Sequence, residues 1–147
     1  VYCVYGAIDF WGEPESVKAQ ADFLYNGADG SGSAILNYGE FSAILTYSKT
    51  CDGIMGSEIM GDEGTLLIDK ISQYTDVHLF KDGELRLIFD SLPKAELMSG
   101  EAQRFADYIL RFSENAEDYV KACDLTRSVH KTMDLIKREA KIKYPEI

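Results

Sequence analysis

Few residues in this chain have the types and spacing that could do chemistry by themselves. The most suggestive run is Gly27-Ala28-Asp29-Gly30-Ser31-Gly32-Ser33, where backbone amides could cradle a phosphate. Phosphate loops need a strand before them, a helix after them and a Gly-Lys-Ser/Thr ending. A strand pattern follows here instead, so the run reads as the connection of a β-hairpin. It also lacks the spaced oxygen ligands and closing Glu of a calcium loop. Gly30-Ser31-Gly32 copies only part of a nucleophile elbow, which requires Gly-x-Ser-x-Gly in a set context.

The remaining candidates are isolated. His78 sits in an alternating strand pattern and His130 on a polar-flanked helix, each without the carboxylate or Cys that would make it a base. Cys3, Cys51 and Cys123 form no CxxC pair, and neither His stands at zinc-ligand spacing, so no metal site is expected. Asp62 and Glu63 occupy a turn, and Trp11 before Gly12 reads as a packing anchor at a helix end. Tyr2, taken alone, is an aromatic in a helix.

Composition narrows the classes further. The 147 residues are 46% hydrophobic and 27% charged, an ordinary folded composition, and suffice for one domain spanning 1–147. With 25 acidic against 15 basic residues the net charge is −10, the wrong balance for neutralising phosphates, so no nucleic-acid partner is expected. No apolar run approaches the ~18 residues of a membrane span. Odd, scattered cysteines fit reduced thiols, and the expectation is a soluble, cytoplasmic protein with no membrane partner. The chain opens on the apolar stretch Val1-Tyr2-Cys3-Val4-Tyr5, which reads as a cut end.

The elements that must position these residues follow from periodicity. Tyr2 to Trp11 reads as a helix with Cys3, Gly6, Ala7 and Phe10 on one face, ended by Gly12-Glu13-Pro14. The period then becomes two. Val17, Ala19, Ala21, Phe23 and Tyr25 alternate with Lys18, Gln20 and Asp22. Further strands are expected at 33–38, 41–47, 54–60, 65–69, 77–80 and 84–89, joined by Asn-Gly, Asp-Gly and related turns. From Ser99, a plausible N-cap, Ala102, Phe105, Ile109 and Phe112 form a helical apolar face, with Asp107 and Arg111 towards water. Asn115 caps a longer helix to about Lys141. Tight turns between strands imply antiparallel pairing, and strands segregated from helices imply an α+β fold. The expected architecture is one open, mostly antiparallel sheet with helices on one face.

Leu24, Ile35, Ile44, Phe80 and Ile88 stand out of phase with the main apolar set of their strands. A sheet face turned to water should be polar there. Clustered, these side chains would form a homodimer interface through the open face; scattered, they would be ordinary exposed hydrophobes.

The run from Tyr2 to Ala19, with its Gly12-Glu13-Pro14 helix stop and Val17-Lys18-Ala19 strand opening, resembles the glucose–fructose oxidoreductase/inositol dehydrogenase family. Gly61-Asp62-Glu63-Gly64-Thr65-Leu66 is similar to that family's G-x-x-G-x-L turn. Gln103-Arg104-Phe105 with Asp107-Tyr108-Ile109 is similar to its penultimate helix, and residues 124–136 to its last helix. The resemblance implies a C-terminal substrate and oligomerisation domain of an NAD(P)-dependent oxidoreductase acting on a sugar, polyol or diol. It also implies that an N-terminal Rossmann domain, absent from this chain with its GxGxxG unit and Glu-Lys-Pro motif, holds NAD or NADP. No cofactor is expected on this chain alone.

The family's Asp-x-x-x-His/Tyr motif would place its last member at Tyr2. Tyr in place of His resembles the branch that includes dihydrodiol dehydrogenase. Alcohol oxidation requires the hydroxyl proton to leave as hydride departs, and a Tyr with a pKa near 10 needs a cation close by to do this at neutral pH. Tyr2 is therefore the expected catalytic residue, the isolated chain is expected to be inactive, and the substrate is a small molecule. The other reading is a non-catalytic α+β module that dimerises or binds a ligand.

Overall fold

The computed structural model describes residues 1–73 and 75–143. Its elements run α1 (Tyr2–Trp11), β1 (Ser16–Phe23), β2 (Asp29–Asn37), β3 (Ser42–Ser48), β4 (Ser57–Gly61), β5 (Gly64–Lys70), β6 (Thr75–Lys81), β7 (Glu84–Phe89), α2 (Lys94–Leu110) and α3 (Phe112–Glu139). Every strand pairing is antiparallel, and the α+β class expected from sequence holds. The strands hydrogen-bond as two ladders, β1-β2-β3 and β4-β5-β6-β7, where the sequence suggests a single sheet. After β3, Ser48 Oγ accepts from the amides of Thr50 and Cys51 and turns the backbone at the start of the link to β4. Two compact units result, residues 1–53 with the chain from Ala122 onward, and residues 54–121.

In the first unit, Val17-Leu36-Ala43 and Ala19-Ala34-Leu45 lie side by side on one face of the three-stranded sheet. Helix α1 covers this face with Val4, Ala7 and Ile8, and α3 with Val129, Met133 and Ile136. Leu36 is fully buried at the centre. The buried stripe of α1 is thus Val4, Gly6, Ala7 and Ile8, and Phe10, read as inward from sequence, is exposed. Val4 and Ile8, one turn apart, pack with Val129 of α3, and Phe10 instead meets the Trp11 ring at a centroid distance of 5.6 Å. Gly12 (φ 77°) ends α1 with its amide on Ile8 O at 2.8 Å. Glu13 then bonds Ser128 Oγ at 3.0 Å and the Lys131 ammonium, fastening the link after α1 to α3. The other face carries Lys18-Ile35-Ile44 and Gln20-Ser33-Thr46, with Ile44 72% exposed.

In the second unit, β6 and β7 turn at Asp82 and Gly83, both at positive φ, as a type I′ hairpin requires. One face aligns Met60, Thr65, Phe80 and Leu85 beside Leu67, His78 and Leu87. Met60, Phe80, Leu85 and Leu87 are exposed there. Helix α2 departs from the sequence reading twice. It begins at Lys94 behind Pro93, whose locked φ suits a helix start, and Ser99 lies inside it with its hydroxyl on Glu96 O at 2.8 Å. Its Phe105 and Ile109 are exposed, whereas Ala106, Asp107 and Tyr108 are half-buried. Polar contacts lie on the half-buried side: Tyr108 donates to Asp118 at 2.7 Å, Arg104 pairs with the same carboxylate, and Asp107 accepts from Gln103 one turn earlier at 2.8 Å. Non-helical angles at Arg111 separate α2 from α3, so the break precedes Asn115, whose side chain donates to Arg111 O.

Candidate functional site

Two places in the first unit hold chemistry-bearing side chains. The first is the outer face of α1, where Tyr2 and Tyr5 lie at i and i+3 and Asp9 a turn further on. Tyr2 opens the helix, is 62% exposed, and its hydroxyl has no hydrogen-bond partner among the described residues. The cation that a tyrosine base needs is not paired with it. Tyr5 keeps its proton more firmly than an ordinary tyrosine, through burial first and the Asp9 carboxylate second.

The second is a centre that the sequence reading assigned to a turn. Asp29 opens β2, is only 6% exposed, and accepts from Tyr47 Oη at 2.8 Å and Lys49 Nζ at 2.7 Å. Burial alone would raise its pKa, but the Lys49 hydrogen bond, the Tyr47 hydroxyl and the Lys49 charge outweigh it and hold the carboxyl ionised below its usual range. Lys49 stays half-exposed and, with Lys141 and Lys143, lines an open cleft of about 430 Å³ beside the Asn26-Gly27-Ala28 turn. The arrangement fixes an ammonium at the cleft and ties the β1–β2 hairpin to the end of β3. Its sequence signal is the period-two pair Tyr47 and Lys49 at the end of β3, where alternation sets the side of Tyr47 and Lys49 follows just past Ser48.

This centre also accounts for the glycine run. A Cβ on Gly32 would stand 2.7 Å from Gln20 O and 2.7 Å from the Tyr47 ring, so the glycine seats the ring that reaches Asp29. The run does not fit a dinucleotide: strand β2 begins at Asp29 inside it, and no helix follows.

Of the other sequence candidates, His78, Glu63 and Trp11 make structural contacts. His78 Nδ1 lies 2.9 Å from Asp76 O, and His130 is exposed on α3. Glu63 in the Asp62-Glu63 turn pairs with Lys81 at 2.8 Å. Trp11 meets Tyr38 and Phe41 edge-on at the end of α1. Cys3, Cys51 and Cys123 are free thiols. No group of three His, Cys, Asp or Glu side chains converges on a metal position among the described residues. No helix among them is long and apolar enough to cross a membrane.

No protein-family model matches the chain. It is 34% identical over 146 residues, 99% of its length, to the scyllo-inositol 2-dehydrogenase (NADP(+)) IolU of Bacillus subtilis strain 168. It is 31% identical over 144 residues, 98% of its length, to the uncharacterized oxidoreductase YgjR of Escherichia coli K12. The chain spans 44% and 43% of these relatives, less than half of each. Among solved structures it matches the crystal structure of "a putative oxidoreductase from Klebsiella pneumoniae" with a TM-score of 0.64 and 15% identity, covering 95% of this chain and 45% of that one. The α+β fold is shared with that neighbour, and the sequence relatives are oxidoreductases.

Proposed function

We propose that this chain is the substrate and subunit-pairing domain of an NAD(P)-dependent oxidoreductase of the glucose–fructose oxidoreductase/inositol dehydrogenase family, acting on a CH–OH group of a sugar, polyol or diol. The observation that carries the reading is likeness over 99% of the chain to a dehydrogenase of a cyclic polyol that uses NADP. The dinucleotide, NAD or NADP, is bound by a Rossmann domain outside these residues and supplies the hydride acceptor. The chain's own contribution is Tyr2, the Tyr-type member of the catalytic motif, whose free hydroxyl at the exposed start of α1 is able to take the substrate's hydroxyl proton. The cation that makes this possible at neutral pH comes from outside these residues.

The partner in this reading is a second copy, docked through the open sheet faces. Ile35 and Ile44 in the first unit, and Met60, Phe80, Leu85 and Leu87 in the second, support it, because apolar side chains in rows on a strand surface are costly to leave in water. The test is an NADP+ and NAD+ reduction assay over inositols, aldoses and vicinal diols. It uses the polypeptide that joins this chain to its dinucleotide-binding domain. Turnover of one of these classes is expected, with none from the 147 residues alone. No turnover of any polyol by the joined polypeptide, or turnover by the 147 residues alone, would overturn the reading.

A further inference from the structure

The cleft beside the Asn26-Gly27-Ala28 turn has a charge opposite to that of the chain around it. The net charge of the chain is −10, yet Lys49, Lys141 and Lys143 line this opening of about 430 Å³, and the one acid on its wall among the described residues is Asp29. All its lining residues belong to the first compact unit, so the cleft is built within that unit.

Two local devices bring the lysines together. Asp29 is buried and both its oxygens are engaged, Oδ1 by Lys49 and Oδ2 by Tyr47, so it holds the Lys49 ammonium in place without offering the cleft a free carboxylate. At the end of α3 the Ile142 amide bonds Lys137 O at 3.0 Å and the Lys141 amide bonds Arg138 O at 3.2 Å, the paired closure of a Schellman motif. Lys141 takes the left-handed position of that motif at φ 57°, where glycine is usual because it has no Cβ to strain. The reversal carries Lys141 and Lys143 to the cleft wall. A cation near a helix C-terminus offsets the dipole, which accounts for a lysine there but not for its meeting Lys49. Neither Lys141 nor Lys143 is in an ion pair with another described residue.

We propose that this cleft binds the phosphate group of a small molecule. Three ammoniums against one carboxylate leave a surplus of two positive charges, the complement of a phosphate dianion. Ammoniums suit phosphate as point charges that need no fixed fork. Phe23 adds an apolar wall on which the carbon part of a phosphate monoester can rest. A nucleic acid is the wrong occupant, because its successive phosphates would run from this cleft over an acidic chain.

The experiment titrates inorganic phosphate, and separately glycerol phosphate, into the isotope-labelled 147-residue chain at constant ionic strength, following the amide resonances of Asn26, Gly27, Ala28 and Lys49. Saturable shifts at these amides are expected, with a Kd of about 1 mM or below. Lys141→Gln/Lys143→Gln should raise that Kd about tenfold, whereas Lys70→Gln, the same charge change in the second unit, should leave it within about twofold. The dispersion of the amide spectrum reports whether each variant folds. Should the pair disturb the end of α3, Lys143→Gln alone, beyond the helix closure, should raise Kd about threefold. Tighter binding of glycerol phosphate would assign an organic phosphate, and equal binding the free ion; both results keep the site. Shifts that do not saturate by about 50 mM phosphate, that chloride reproduces, or that persist unchanged in the double variant would overturn the proposal.

Discussion

Asp29 is the residue whose role depends most on its surroundings. Asp29→Ala removes the carboxylate that accepts from both the Tyr47 hydroxyl and the Lys49 ammonium. Lys49 is half-exposed and can turn to water, so the cost should be about 1–3 kcal/mol, below that of a fully buried pair. Urea unfolding of both proteins measures it. The carboxyl is held below its unfolded pKa of about 3.9, so its contribution is complete above that value and is lost as pH falls through the lower, folded one. The stability gap between wild type and Asp29→Asn should therefore be constant from about pH 7 to pH 5 and shrink below about pH 4. Gly32→Ala, which drives a Cβ into Gln20 O and the Tyr47 ring, should cost about 1–3 kcal/mol by the same assay. None of this was legible from the Asp29-Gly30 dipeptide, which carries a turn signal. The partners Tyr47 and Lys49 lie 18 and 20 positions away, and only strand pairing brings them back.

Among the elements, strands were the easiest to read and helix limits the hardest. Alternation in Val17–Phe23 and the Asp82-Gly83 turn encode their geometry locally, so β1 and the β6–β7 hairpin stand where the pattern puts them. The start of helix α2 reads six residues late from sequence because Ser99 is a good cap and Pro93 a less familiar one. The two starts differ in sign under one substitution. With Ser99 inside the helix, Ser99→Ala should be neutral or stabilising by up to about 0.5 kcal/mol, since Ala has the higher helix propensity. At an N-cap it would cost about 1 kcal/mol, and thermal unfolding distinguishes the two. The exposure of Phe105 and Ile109 was not legible because periodicity marks an apolar face without saying what covers it.

At the scale of the whole molecule, the out-of-phase residues Leu24, Ile35, Ile44, Phe80 and Ile88 are all at least a third exposed. They do not share one face as the sequence suggests: Ile35 pairs with Ile44 and Phe80 stands on the face of Leu87, but Ile88 alternates to the opposite face and Leu24 lies past the end of β1. Under the proposed function Ile35, Ile44 and Phe80 meet a second copy, and light scattering should give a dimer mass that Ile44→Lys or Leu87→Lys reduces towards a monomer. A monomer at all concentrations would remove the pairing role from the proposal. The catalytic assignment reaches furthest beyond this chain, because Tyr2 was read through family resemblance and not through any partner it touches. Its most direct test is steady-state kinetics of Tyr2→Phe in the polypeptide that includes the dinucleotide-binding domain. The account predicts a fall in kcat of about 10²–10⁴-fold with KM nearly unchanged, the loss typical of a proton-transfer group. A kcat within about twofold of wild type would contradict it and leave Tyr2 an exposed aromatic at the start of a helix.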